Sequence, residues 1–439
     1  MKKIVFLIVI LAGFSANAQV KKWTLQECVA YAVDNNLTIE QFELDLATVK
    51  IEESDAFGDF LPSLNASSSA SGQTGLSFDP TTNQAVTTTI FTATGGISSS
   101  LTLFDGLRNV HRLNRAKMNA IASQYRLDDL KDDIRLNVAN AYLSVLSNKE
   151  SLRVFMAQYE VTKQDLQRTK ELVEAGVVPR GDLLEVEATA ANQEQQIVNS
   201  ENSILISRIN LAQLLQITDY ENFDIADESF EIPPSEVLTN SPKTIYEKAL
   251  TFRNDIKVSE LNVGIAEKDL QISKGALLPT LGAFFNYNTR YSGQQKQIDF
   301  IDQLWINDGI SYGAQLSIPI FNGFGVKNNI KRSVISIDRA NVQLEQEKLA
   351  LETTINQAYV DVKSFSKAYE AAEKTVAARR LAYEYSKERF DVGLMNSFDF
   401  SQAQARVDDA EAQLIRTKYD YIFRLKVLEF YFGMPISLN

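Results

Sequence analysis

The sequence predicts a mainly α-helical chain built as two copies of one unit, each with long antiparallel helices and a single β-hairpin. Three observations lead there. Short motifs recur at one constant spacing, two stretches of nearly seventy residues lack glycine and proline, and two shorter stretches alternate with the period of a strand.

The spacing is 217 residues. Leu61-Pro62-Ser63-Leu64 returns as Leu278-Pro279-Thr280-Leu281, and Leu103-Phe104-Asp105-Gly106 as Ile320-Phe321-Asn322-Gly323. Ala141-Tyr142 returns as Ala358-Tyr359, and Gly176 and Asp182 as Gly393 and Asp399. Four matches in one register, without an insertion, indicate a duplication. The first copy occupies residues 19–217 and the second 243–439. Between them lies an acidic connection, 218–242. Asp219 to Glu236 holds seven acids, no base and Pro233-Pro234, the pattern of a surface linker.

Residues 1–18 precede the first copy. Lys2 and Lys3, an apolar run from Ile4 to Leu11 and Ala16-Asn17-Ala18 form a secretory signal peptide, too short to span a bilayer. No cysteine follows the cleavage point, which argues against a lipid-anchored N-terminus. Cys28, the only cysteine, sits in a helical pattern and reads as a small apolar residue. With His111 the only histidine, intramolecular disulfides and His/Cys zinc sites are excluded. With 44 basic against 56 acidic residues the chain is a poor nucleic-acid binder. Asp128-Asp129 and Asp132-Asp133 read as a solvated helix face, and His111 as an exposed polar residue. No GxGxxG or GxxxxGK[ST] motif occurs. No catalytic, cofactor or metal site is expected.

The runs between Gly106 and Gly176 and between Gly325 and Gly393 are 69 and 67 residues long. An apolar heptad seam passes from Leu344 through Leu351, Ile355, Val362 and Val376, with its counterpart from Leu127 through Ile134, Val138 and Val145. A second stripe, Leu136, Ala139, Leu143 and Leu146, requires a neighbour on the other side. At 1.5 Å per residue each run reaches about 100 Å. Shorter helical stretches at about 24–60, 182–216, 243–277 and 399–432 together match the long ones in length.

Strands are expected at about 63–104 and 280–321. In the second copy Phe285, Tyr287 and Tyr291 share one face of one strand, and Tyr312, Leu316 and Ile318 one face of the next. These six are assigned to lipid. The first copy is weaker, because Ser67 to Ser71 is small and polar. Two hairpins give four strands, and lipid permits no open sheet edge. Several chains must therefore pool their hairpins, and three would form a twelve-stranded barrel.

These features together resemble the TolC-like outer-membrane efflux factor family. The resemblance rests on the duplication, the Leu-Pro before each first strand, Phe104-Asp105-Gly106 and Pro319-Ile320-Phe321-Asn322-Gly323 after each second strand, and the turns Glu174–Asp182 and Asp391–Asp399. It implies a homotrimer in the outer membrane of a Gram-negative bacterium, with a β-barrel in the membrane and an α-barrel tunnel in the periplasm. It implies a passive exit duct, not an enzyme, working with a periplasmic adaptor (a membrane fusion protein) and an inner-membrane pump. The chain stops at Asn439, so the belt that some members build from a longer tail is expected to be small. Gly176, Val177, Val392, Gly393 and Leu394 carry over as adaptor-docking tips; the two glycines equally suit helix caps. Asp399, with Asp182 its duplicate, carries over to the pore entrance; both equally suit helix starts. Gln402 stands where some members have a second acid, and Phe390 and Met395 where relatives have a latching tyrosine and arginine. The other reading of the chain is a periplasmic coiled-coil tether or surface scaffold without a pore, which needs no lipid-facing strands.

Overall fold

The runs without glycine or proline fold as single helices of equal length. The computed structural model describes residues 21–79, 84–227, 230–232, 235–295 and 297–435. The expected signal peptide and Pro233-Pro234 lie outside them. In chain order the elements are β1 (Lys22–Trp23), α1 (Leu25–Asn35), α2 (Leu37–Gly58), β2 (Ser63–Asp79), β3 (Gln84–Phe104), α3 (Arg108–Glu174) and α4 (Arg180–Leu214). There follow β4 (Asp224–Ile225), α5 (Pro242–Phe252), α6 (Asn254–Gly275), β5 (Thr280–Ser292), α7 (Phe300–Ile306), β6 (Gly309–Ser317), α8 (Gly325–Asp391) and α9 (Ser397–Tyr431). Helices of the two copies match in length: α1 and α5 have 11 residues, α2 and α6 22, α3 and α8 67, α4 and α9 35. Each pair keeps the 217-residue offset.

The first short stretch of each copy is broken, which the hydrophobic pattern does not reveal. Asn36 ends α1 and starts α2, its Oδ1 accepting the Thr38 N–H at 2.9 Å. Asparagine competes with the helix for its own backbone and so makes a good start. Thr24 and Glu27 form a capping box at α1, and Ser241 caps α5 ahead of Pro242.

The chain divides into two compact units. The first comprises Met1–Phe42, Leu127–Asn254 and Lys348–Asn439. Both stripes of α3 are buried there, Val138 and Val145 on one and Ala139, Leu143 and Leu146 on the other, as are Leu351, Ile355, Val362 and Val376 of α8. Cys28 is buried, as its apolar reading requires. The acidic connection is more firmly held than a surface linker. β4 pairs in parallel with β1, Phe223, Ile225 and Val237 are buried, and Lys149 reaches Asp224 at 2.7 Å and Asp227 at 2.8 Å. The acids are therefore held by an apolar underside and a helix lysine, neither visible in local composition. Nor is the acidic helix face wholly solvated: Asp129 meets the buried Arg253 guanidinium at 3.2 Å. His111 is half-buried rather than exposed.

A polar layer crosses this unit. Asp408 on α9 is only 4% exposed, and Gln193 Nε2 of α4 donates to its Oδ2 at 2.9 Å. Gln404 donates to Thr162 of α3, and Glu411 accepts from Arg380 of α8. Burial, opposed only by the Gln193 hydrogen bond and helped by nearby Glu411 and Asp409, pushes the Asp408 carboxyl up to about 6. The folded chain thus holds a proton that the unfolded chain releases nearer pH 4, so this group's contribution worsens as pH rises from about 4 to 6. At neutral pH the penalty is about 3 kcal/mol. Asp408→Asn is expected to raise the thermal midpoint at pH 7.5 and to flatten its gain on acidification to pH 5. An amide can pair both ways with Gln193, whose Oε1 has no partner. A parent midpoint that does not rise between pH 7 and 5 would contradict this.

The second unit comprises Glu43–Arg126 and Asp255–Glu347 and contains a four-stranded antiparallel sheet of order β2-β3-β5-β6. The first hairpin, the weaker in sequence, has the longer strands: 17 and 21 residues against 13 and 9. Hydroxyl pairs across it compensate for missing apolar bulk, Ser69 with Thr94 at 2.7 Å and Ser71 with Thr92 at 3.0 Å. β6 stops at Ser317, short of the expected 321, so Ile318 lies just past the strand. α7, between β5 and β6, has no counterpart among the described residues of the first copy.

Candidate functional site

The sheet has two unlike faces. Residues paired directly across antiparallel strands share a face. Phe285 pairs with Tyr312, Tyr287 with Ile310 and Ile97, Leu281 with Leu316, and Tyr291 with Ala93. Five of the six residues assigned to lipid, Phe285, Tyr287, Tyr291, Tyr312 and Leu316, therefore lie on one face. The opposite face carries Asn286 and Asn288 with Ser311, Ser98 and Gly96 opposite, and Ser63, Asn65 and Ser69 on β2. Its one large ring on β5, Phe284, lies over Gly313. Among the described residues no helix is long and apolar enough to cross a membrane.

Among the described residues, the outer strands β2 and β6 each have one unpaired edge. Both hairpins return through a left-handed turn into a long helix. Gly106 has φ +74° and Leu107 +63°, and Gly323 +60° and Phe324 +66°. Asp105 accepts the Asn109 N–H at 2.9 Å and so starts α3.

The predicted tips lie in the first unit. α3 ends before Gly176, at φ +72°, and Val177 N–H donates to Leu172 O at 2.9 Å. α8 ends before Gly393, at φ +74°, and Leu394 N–H donates to Arg389 O at 2.8 Å. Both are helix caps closed by a left-handed glycine. Val177, Val392 and Leu394 are exposed, and open space surrounds both glycines.

Asp182 and Asp399 hold the same position in the first turns of α4 and α9 but differ in surroundings. Asp399 is exposed; its N–H donates to Asn396 Oδ1 at 2.8 Å, and Asn396 Nδ2 donates to its carboxylate at 2.9 Å. Asp182 is half-buried and accepts from Ser397 Oγ at 2.5 Å. Phe390 stacks on Phe400 at 4.6 Å, and Phe400 stacks on Tyr383. Phe390, expected where relatives have a latching tyrosine, is thus held in aromatic packing.

Sequence reasoning missed α7 and the buried Asp408. Asp302 interrupts α7's apolar run, and Asp408 adjoins an ordinary surface acid, Asp409, so neither shows a periodic signal.

Comparison with known proteins completes the picture. The sequence profile described as "Outer membrane efflux protein" matches twice, at residues 32–215 and 245–433. The outer membrane protein TolC of Vibrio cholerae is 24% identical over 319 residues, covering 72% of this chain and 71% of that protein. The probable efflux pump outer membrane protein TtgC of Pseudomonas putida is 23% identical over 420 residues, 89% of this chain and 79% of that one. The Campylobacter jejuni CmeC outer membrane channel superposes with a TM-score of 0.81 at 19% identity, over 93% of this chain and 85% of that one.

Proposed function

Because the chain belongs to the outer membrane efflux protein family, we propose that it is the exit duct of a tripartite efflux or type I secretion system, a passive channel carrying substrates across the periplasm and outer membrane. The observation that carries this reading is a sheet with one apolar face, one hydroxyl- and amide-rich face, and two open edges. Lipid on the apolar face and water on the other is the arrangement of a transmembrane barrel wall. Closure requires β6 of one copy to pair with β2 of the next, and three copies supply twelve strands. The helices then form the periplasmic tunnel, and the glycine turns with Val177, Val392 and Leu394 meet the adaptor. A passive duct needs no cofactor.

The duplication supports this closure in detail. Within one chain α3 of the first copy packs on α6 of the second, with Arg115 on Asp269 at 2.9 Å and Met118 close to Gly264. Moved by 217 residues, the same contacts would join α8 to α2: Arg332 to Glu52 and Ile335 to Ala47. These helices flank the open strand edges and carry matching exposed heptads, Leu37, Leu44 and Ile51 on α2 and Ile335, Val342 and Leu349 on α8, each more than half exposed. Between neighbouring copies they would be covered.

Extraction of outer membranes with mild detergent should yield a particle near three times 49.2 kDa that conducts ions in planar bilayers. Arg332→Glu or Glu52→Arg alone should lower the heat-stable trimer, and the double exchange should restore it. A water-soluble monomer would overturn the reading.

A further inference from the structure

The short helix α7 exposes apolar side chains where a loop between strands is ordinarily polar. Trp305 is 70% exposed, and Ile301, Ile306 and Phe300 are exposed beside it. Ile301 and Trp305 lie one turn apart and so share a side of the helix. The helix is firmly attached to the sheet. Gln303, almost wholly buried, donates to Gln295 O and Ile298 O at 2.9 Å and accepts the Ser292 N–H at 2.9 Å. Asn307 Nδ2 donates to Arg290 O at 3.0 Å. An exposed apolar group on a tethered helix cannot retreat into the protein core.

The attachment also fixes the side on which the helix sits. Thr289 and Tyr291 belong to the apolar face of β5. Thr289 Oγ1 donates to Leu304 O at 2.5 Å, and the Tyr291 ring lies 5.0 Å from Phe300 and 6.2 Å from Phe91. Phe91, Tyr291 and Phe300 thus continue the apolar face onto α7. Acids bound the segment at Asp299 and Asp308, and the exposed Asp302 lies between Trp305 and Ile306 around the helix, which holds α7 at the headgroup level rather than deeper. An exposed amphipathic tryptophan with exposed isoleucines beside it, joined to a lipid-facing sheet, is the chemistry of the membrane–water boundary.

We propose that α7 is an interfacial helix that lies in the lipid at the hairpin end of the sheet, with Ile301 and Trp305 inserted among the acyl chains next to the headgroups. It adds to the barrel wall a lipid contact that the strands alone do not make, once per chain. The proposal rests on the lipid-facing reading of the sheet.

Trp305 is its own reporter, because the only other tryptophan is Trp23. The full-length Trp23→Phe protein, reconstituted as the assembled channel, is compared in plain vesicles and in vesicles of lipid brominated near the carbonyl end of the acyl chains. Emission of Trp305 should fall about twofold with the brominated lipid and respond little to aqueous iodide. Quenching by iodide would overturn the proposal. So would insensitivity to both quenchers, which would mean burial against another copy. A Tyr312→Trp reporter in a Trp23→Phe, Trp305→Phe background separates the two readings. If this sheet reporter is quenched by lipid and Trp305 is not, α7 alone has been misplaced; if neither responds, the lipid-facing sheet falls too.

Discussion

Replacing Gly106 by alanine is expected to prevent the chain from folding, whereas the same change at its duplicate, Gly323, should leave the chain folded and impair assembly. Both glycines have positive φ, which costs alanine about 1–2 kcal/mol. The difference lies in what surrounds them. A Cβ on Gly106 would overlap the carbonyl oxygen of Gly275, at the end of α6, and come within 3.0 Å of Leu278 Cβ. Backbone cannot swing aside as a flexible side chain does, so the total penalty should exceed roughly 3 kcal/mol, as for other overpacked or strained core sites. Gly323 has open space around it, as does Gly58, the duplicate of Gly275. In the proposed ring these two would meet between copies. Circular dichroism should therefore show lost helix for Gly106→Ala, and near-parental helix with less trimer for Gly323→Ala. Parental folding and yield for Gly106→Ala would show that the junction is not so tightly packed.

The second large effect is electrical. Three copies of Asp399 around one axis would repel each other and attract cations, so trivalent cations added from the periplasmic side should block the reconstituted channel. Asp399→Asn should relieve that block with little loss of stability, because Asn396, not Asp399, is the residue that starts α9. Asp182→Asn is a pointed control. Its carboxylate is engaged by Ser397, so the change should affect packing and leave the block in place. Single-channel conductance with and without a trivalent cation reads both. Equal block in the parent and in Asp399→Asn would show that Asp399 forms no charged ring at the pore entrance.

Much of the architecture was legible because it is written in punctuation. The long helices end within about two residues of the glycines that bracket them, since only a left-handed residue stops such a helix cheaply. The apolar alternation of β5 and β6 placed five aromatic and aliphatic residues on one face. What escaped notice depends on contacts distant in sequence. Asn36 breaks a helix that its apolar period would continue. Ser69 and Ser71 look like loop residues until Thr94 and Thr92 stand opposite them. The acidic connection hides four buried apolar side chains among the described residues, and nothing near Asp408 announces that Gln193, 215 positions away, is its hydrogen-bond partner. For the tips, glycine position was readable, but capping and docking make the same demand on the sequence.

The pairing of β3 with β5 leaves the first and last strands of the sheet as its margins. In the proposed ring, every seam then requires two different molecules, and no chain can complete its own wall. Genetic dominance follows. If half the chains in a cell carried a β6 unable to receive a neighbour, random mixing would leave only about one in eight threefold rings intact. Such an allele would be dominant-negative. An allele that yields no chain at all would be silent, because nothing defective would enter a ring.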